Sequence, residues 1–151
     1  MAIKIGSKSI AFLFVVLFHV GCAGKTENQR LSPSEHEEFV QYMVEGEKLY
    51  NLNCGNCHQH NGQGLGRVFP PLNNSDYMEA NLDQVICLIK NGQRGEIVVN
   101  GVTFNEPMPG TPHLTNLELA EITTYIYNSW NQKKGMITVN QVETTLNNSC
   151  E

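Results

Sequence analysis

The sequence predicts an all-α domain carrying one small β-hairpin. Ser32-Pro33-Ser34-Glu35 and Thr115-Asn116-Leu117-Glu118 both have the Ser/Thr-x-x-Glu signature of a helix capping box. Each is followed by apolar residues three and four apart, the period of a helix face. β-Branched residues gather on either side of Asn100-Gly101, which is enough for a hairpin with a tight turn.

The chain opens with Lys4 and Lys8, then the apolar run Ile10 to Val20, then Gly21 and Cys22. That run is shorter than the ~20 residues that cross a bilayer core. Basic residues, an apolar stretch and a small-residue end read as a secretory signal over residues 1–21. Phe18-His19-Val20-Gly21-Cys22 resembles the lipobox of bacterial lipoproteins, which implies lipidation at Cys22. Gly21 fits the small position, whereas His19 departs from the apolar residue usual there. Residues 22–34 then serve as lipid anchor and polar tether. The expected location is outside the cytoplasm, lipid-anchored to a bacterial membrane and facing the periplasm.

The first helix starts with Pro33 at its first position and carries Phe39, Tyr42, Met43, Gly46, Leu49 and Tyr50 on one face. It should run to about Asn53 and deliver Cys54 at its end. Residues 54–75 hold four glycines and two adjacent prolines and read as loop. A short helix follows Ser75. Another spans about Leu82 to Lys90, with Val85, Ile86 and Ile89 apolar and Asn91-Gly92 as its stop. The hairpin lies in the segment Glu96 to Phe104. Three prolines between Asn105 and His113 predict an irregular segment. The helix opened at Thr115 carries Leu119, Ile122, Tyr125, Ile126 and Trp130. Thr138 and Gln141 start a last short helix. The folded domain is expected at 35–131, with a C-terminal extension at 132–151.

Ten basic side chains stand against fifteen acidic ones, a net charge of −5. Without Lys4 and Lys8 the balance becomes eight against fifteen, or −7. Nucleic acid is therefore not an expected partner, since that binding depends on clustered Lys and Arg. Glu35, Glu37, Glu38, Glu45 and Glu47 read as a solvated helix face.

Five cysteines need an accounting in an exported chain. Cys22 is assigned to lipid, and Cys54 and Cys57 form a C-x-x-C pair. Cys87 and Cys150 remain for one disulfide, with two unrelated buried thiols as the alternative, because spacing does not fix connectivity.

Cys54-Gly55-Asn56-Cys57-His58 carries the chemistry. Zinc would need four N or S ligands, and no second close pair stands near. A thiol–disulfide switch would sit at a helix start after a strand, whereas this motif follows a helix. C-x-x-C-H marks covalent attachment of a c-type haem. The two thiols add to the vinyl groups of one porphyrin, and the histidine directly behind lies under the iron.

From about Tyr42 to Trp130 the chain resembles the class I c-type cytochromes. The resemblance rests on the CGNCH stretch, the glycine loop, Pro70-Pro71-Leu72, a middle helix, Met108-Pro109-Gly110 and the aromatic closing helix. It implies three to five helices around one covalently bound haem c, with the first and last helices crossing at Gly46. Glycine there permits close backbone approach, and Tyr125 or Tyr127 would face it. It implies His58 as proximal ligand, the Pro70 carbonyl as acceptor of the second imidazole N–H, and Met108 as the sixth ligand. The prolines flanking Met108 stiffen that loop. His113 is the competing ligand, while Met43 and Met78 read as core. Arg67 either pairs with a haem propionate or is an ordinary loop arginine. Tyr77, Asn105 and Trp130 are candidates for the haem edge. Lys90 and Arg94 read as solubilising charges, with docking as the alternative.

Met and His ligation would leave iron no open position, so the expected function is one-electron transfer between redox proteins rather than an enzymatic reaction. A haem-bearing subunit of a larger dehydrogenase or reductase is one alternative. A haem peroxidase or gas sensor is the other, should Met108 not bind.

Overall fold

The fold is that of a computed structural model describing residues 31–130 and 132–150. The signal peptide expected at 1–21, Cys22 and the tether up to residue 30 lie outside the described residues.

Helix α1 spans Pro33–Asn53. Its start is a complete capping box: Ser32 N–H donates to Glu35 Oε2 at 2.8 Å, and Glu35 N–H donates back to Ser32 Oγ at 3.3 Å. Tyr42, Gly46 and Tyr50 are its buried residues, four apart, so one stripe faces the core. Among the described residues six helical segments occur, and α2 is the one the sequence concealed. Gly55–His58 forms this single turn within a segment expected to be loop. Gly and Asn are poor helix formers. The turn nevertheless closes on the Cys54 carbonyl, which accepts from Cys57 N–H at 3.1 Å and His58 N–H at 2.9 Å.

Helix α3 covers Asp76–Ala80 and α4 covers Leu82–Asn91. Strand β1 (Gly92–Gln93) follows directly, then β2 (Ile97–Val99) and β3 (Val102–Phe104) as an antiparallel hairpin. Its turn residues Asn100 and Gly101 both have left-handed backbone, φ 51° and 72°, as a two-residue hairpin loop of this type requires. Asp76 and Asn100 clamp the turn onto α3. Asn100 N–H donates to Asp76 Oδ1 at 2.7 Å, and Asp76 N–H donates to Asn100 Oδ1 at 3.0 Å.

The proline-rich segment is not wholly irregular. Met108–Pro109 forms β4, antiparallel to β1, with Gly92 opposite Pro109 and Gln93 opposite Met108. A two-residue ladder asks little of the missing proline donor, which is why the prolines do not prevent it.

Helix α5 spans Asn116–Ile126 behind the second capping box, and α6 spans Val139–Asn148 behind Thr138, whose hydroxyl accepts from Gln141 N–H at 3.2 Å. Trp130 falls beyond the end of α5 and packs against Tyr50 and Tyr125, with ring centroids 5.6 and 5.9 Å away. Helix α1 lies across α5 at Gly46. A Cβ there would sit 2.8 Å from Tyr125 Cβ and would collide with the Glu121 carbonyl oxygen. The extension folds back onto the domain: Thr145 donates to Asp83 Oδ1 at 2.9 Å, Ile137 N–H donates to Thr124 Oγ1 at 2.9 Å, and Cys87 is disulfide-bonded to Cys150. Tyr50, Ile86, Leu119, Ile122 and Val142 are fully buried, so α1, α4, α5 and α6 share one core. No helix among the described residues is long and apolar enough to cross a membrane.

Candidate functional site

The site is built around α2. Because α1 ends at Asn53, Cys54 stands at the corner and the next turn carries Cys57 and His58. His58 is buried, and its Nδ1 lies 3.0 Å from the Pro70 carbonyl oxygen. A carbonyl only accepts, so the shared proton sits on Nδ1. The Nε2 lone pair of the neutral ring is thereby left for another partner. Burial holds the imidazole below its usual pKa, and the Pro70 hydrogen bond opposes that shift in part. The neutral, ligating form is therefore the favoured one. The loop is wound to present Pro70: Gly64 N–H donates to the His58 carbonyl at 2.9 Å, and Leu72 N–H donates to the Gly62 carbonyl at 2.7 Å.

Two adjoining clefts open beside His58. His58, Pro70, Leu88, Ile97 and Met108 line both. Cys54 lines the first and Cys57 the second. Helix α4 contributes Val85, Leu88 and Ile89, the hairpin contributes Ile97 and Val99, and α5 contributes Ile122 and Ile126. The turn and cap signals placed the hairpin and α5 as elements, but nothing in the sequence marked Ile97, Val99, Ile122 and Ile126 as cleft walls. Burial, and secondarily the neighbouring Cys57, pushes the Cys54 thiol up to about 12. A thiol–disulfide switch needs the opposite shift.

The structure brings Cys54, Cys57, His58, Pro70 and Met108 around this space and leaves other candidates outside it. Arg67 is exposed and lines neither cleft. His113 is exposed and likewise lines neither, as does Asn105. Tyr77 lines the first cleft, and Met78 is buried there as a core residue. His60 is exposed, with Nδ1 2.7 Å from Asn51 Oδ1. No group of three His, Cys, Asp or Glu residues gathers to hold a metal ion among the described residues, so a zinc site has no ligand set there.

Residues 43–130 match the Cytochrome c family. The chain belongs to that family. It is 32% identical over 96 residues to cytochrome c-552 of Thermus thermophilus, covering 61% of this chain and 72% of that protein. It is also 28% identical over 102 residues to the cytochrome c subunit of the quinone alcohol dehydrogenase of Gluconobacter oxydans, covering 65% of this chain and 21% of that subunit.

As a cytochrome c, the chain carries covalently bound haem c and is an electron carrier. The residues present fit the group. The clefts are walled by aliphatic side chains, as a flat apolar macrocycle requires. The donors facing them are two thiols, an imidazole with a free Nε2 and a thioether, which are haem iron's customary ligands and attachment groups.

Proposed function

We propose that this cytochrome is an exported, lipid-anchored one-electron carrier of a periplasm-facing respiratory chain, with His58 and Met108 as the residues that would hold the haem iron. The observation that carries the reading is that His58 and Met108, from different elements, line the same two clefts. When bound, haem c supplies an iron that cycles between Fe(III) and Fe(II). Cys54 and Cys57 hold the porphyrin as thioethers, so it is not lost in an open compartment. His58 offers Nε2, fixed in orientation by Pro70. Met108 offers its thioether from a loop with proline on either side. With His58 and Met108 both bound, the iron would offer neither peroxide nor a gas a place to bind, and the aliphatic walls would exclude water. A His/Met pair also favours a higher potential than a His/His pair.

Carbon monoxide tests the ligation. The reduced protein is expected to resist it, and the Met108→Ala variant to bind it readily; rapid binding by the unmodified protein would favour the peroxidase or sensor reading instead. The anchor is tested by mass spectrometry of the mature N-terminal peptide. A diacylglyceryl group on Cys22 is expected, and an unlipidated terminus rules the anchor out.

Similarity to the dehydrogenase cytochrome subunit favours a second reading, in which the chain serves as a fixed haem subunit of a larger complex. Solubilisation in mild detergent followed by gel filtration separates the two: the free carrier elutes alone.

A further inference from the structure

The loop carrying Met108 is tied to the C-terminal end of α4 by more than its short ladder with β1. Thr111 directs both its N–H and its hydroxyl to one acceptor, the Ile89 carbonyl, at 2.9 and 2.7 Å. Lys90 Nζ donates to the Pro112 carbonyl at 3.1 Å and to the Leu114 carbonyl at 2.7 Å. Ile89 belongs to the last turn of α4, where carbonyls lack intrahelical donors. Thr111 is buried and takes both lone pairs of that orphan carbonyl. Between these ties the backbones touch: a Cβ on Gly110 would lie 2.7 Å from both Gly92 N and the Lys90 carbonyl oxygen.

Helix α4 also supplies Val85, Leu88 and Ile89 to the cleft wall. The same element thus fixes one wall of the cleft and the loop that carries Met108. We infer that Thr111 and Lys90 are positioning residues for Met108, latching its loop to α4 so that the thioether is held at its place in the cleft. The inference rests on the proposed ligation by Met108. Lys90 is on this view no mere solubilising charge, since its ammonium is spent on two carbonyls of the ligand loop.

The test uses the full-length holoprotein in its ferric form, titrated with imidazole while the sulfur-to-iron charge-transfer band is followed. Thr111→Val removes the hydroxyl at nearly constant shape, and Lys90→Met keeps the stem without the donor. The double variant should give up its sulfur band at about tenfold lower imidazole, as expected for the loss of these hydrogen bonds. Thr111→Ser should behave as the unmodified protein. Lys90→Met alone, which leaves the buried threonine intact, should move the same way by a smaller factor and stands in if the double variant does not fold. Unchanged imidazole affinity alongside a lowered melting temperature would overturn the inference, leaving these residues a purely structural role. If the unmodified protein has no sulfur band, the Met108 reading fails and this one with it. If the band is present and the variants match the unmodified protein, the positioning role alone fails.

Discussion

Gly46 shows how much one hydrogen atom decides. On propensity alone, Gly46→Ala should stabilise α1 by up to about 1 kcal/mol. The added methyl group would meet the Glu121 carbonyl oxygen and sit 2.8 Å from Tyr125 Cβ, both in the packed face of α5. Overpacking of this kind costs about 1–3 kcal/mol, and backbone gives way less readily than a side-chain tip. Packing should therefore win. Thermal melts are expected to show Gly46→Ala less stable than the parent by about 1–2 kcal/mol; a raised melting temperature would mean that the helices slide apart freely. Legibility at this scale followed sequence distance. Cys54, Cys57 and His58 announce themselves because their chemistry is local. Pro70 came only from the family pattern, and the structure sets its carbonyl 3.0 Å from His58 Nδ1. Thr111 stayed unseen and Lys90 read only as a surface charge, because their partners lie 22 to 24 residues away and a backbone carbonyl leaves no mark in the sequence. Arg67 was a candidate on charge alone, and charge does not say which way a loop residue points.

Elements whose signals are local were readable to within a residue or two. Both Ser/Thr-x-x-Glu stretches became complete capping boxes, and Asn100-Gly101 became a hairpin turn with both residues left-handed. The turn α2 was not readable, since Gly55 and Asn56 argue against helix and its closing carbonyl belongs to Cys54. The β1–β4 ladder was missed because a two-residue strand has no periodicity to detect. The α5 cap gives a prediction with a pH signature. Glu118 accepts from Thr115 N–H at 2.7 Å and from its hydroxyl at 2.8 Å. Those bonds, the backbone one first, hold the carboxyl below its ordinary 4.5. A carboxyl lowered in the folded state favours folding above its unfolded pKa, and that contribution disappears as pH falls through the lowered value. Thr115→Ala should cost about 1 kcal/mol near neutrality. In denaturant titrations the gap between variant and parent should narrow below pH 4.5; a gap independent of pH would mean that the carboxylate plays no part in the cap.

For the molecule as a whole, the core is shared between the haem-bearing domain and its C-terminal extension. Val142 is fully buried in α6, and the Cys87–Cys150 bond spans 63 residues of chain. Closing a loop of that length restricts the unfolded chain by about 4 kcal/mol in the entropic treatment. Cys150→Ser should therefore lower stability to chemical denaturation by up to about 4 kcal/mol while leaving the visible spectrum intact, because Cys87 lines neither cleft. A spectrum altered along with stability would show that the extension shapes the haem wall through α4. The account turns on Met108 joining His58 as a ligand of the haem iron. Proton NMR of the reduced protein tests this most directly, because a methionine methyl held over the porphyrin is driven far upfield by the ring current. One such singlet is predicted for the parent, disappearing in Met108→Ala while the haem stays attached; no upfield methyl in the parent, or one that survives the substitution, would contradict it.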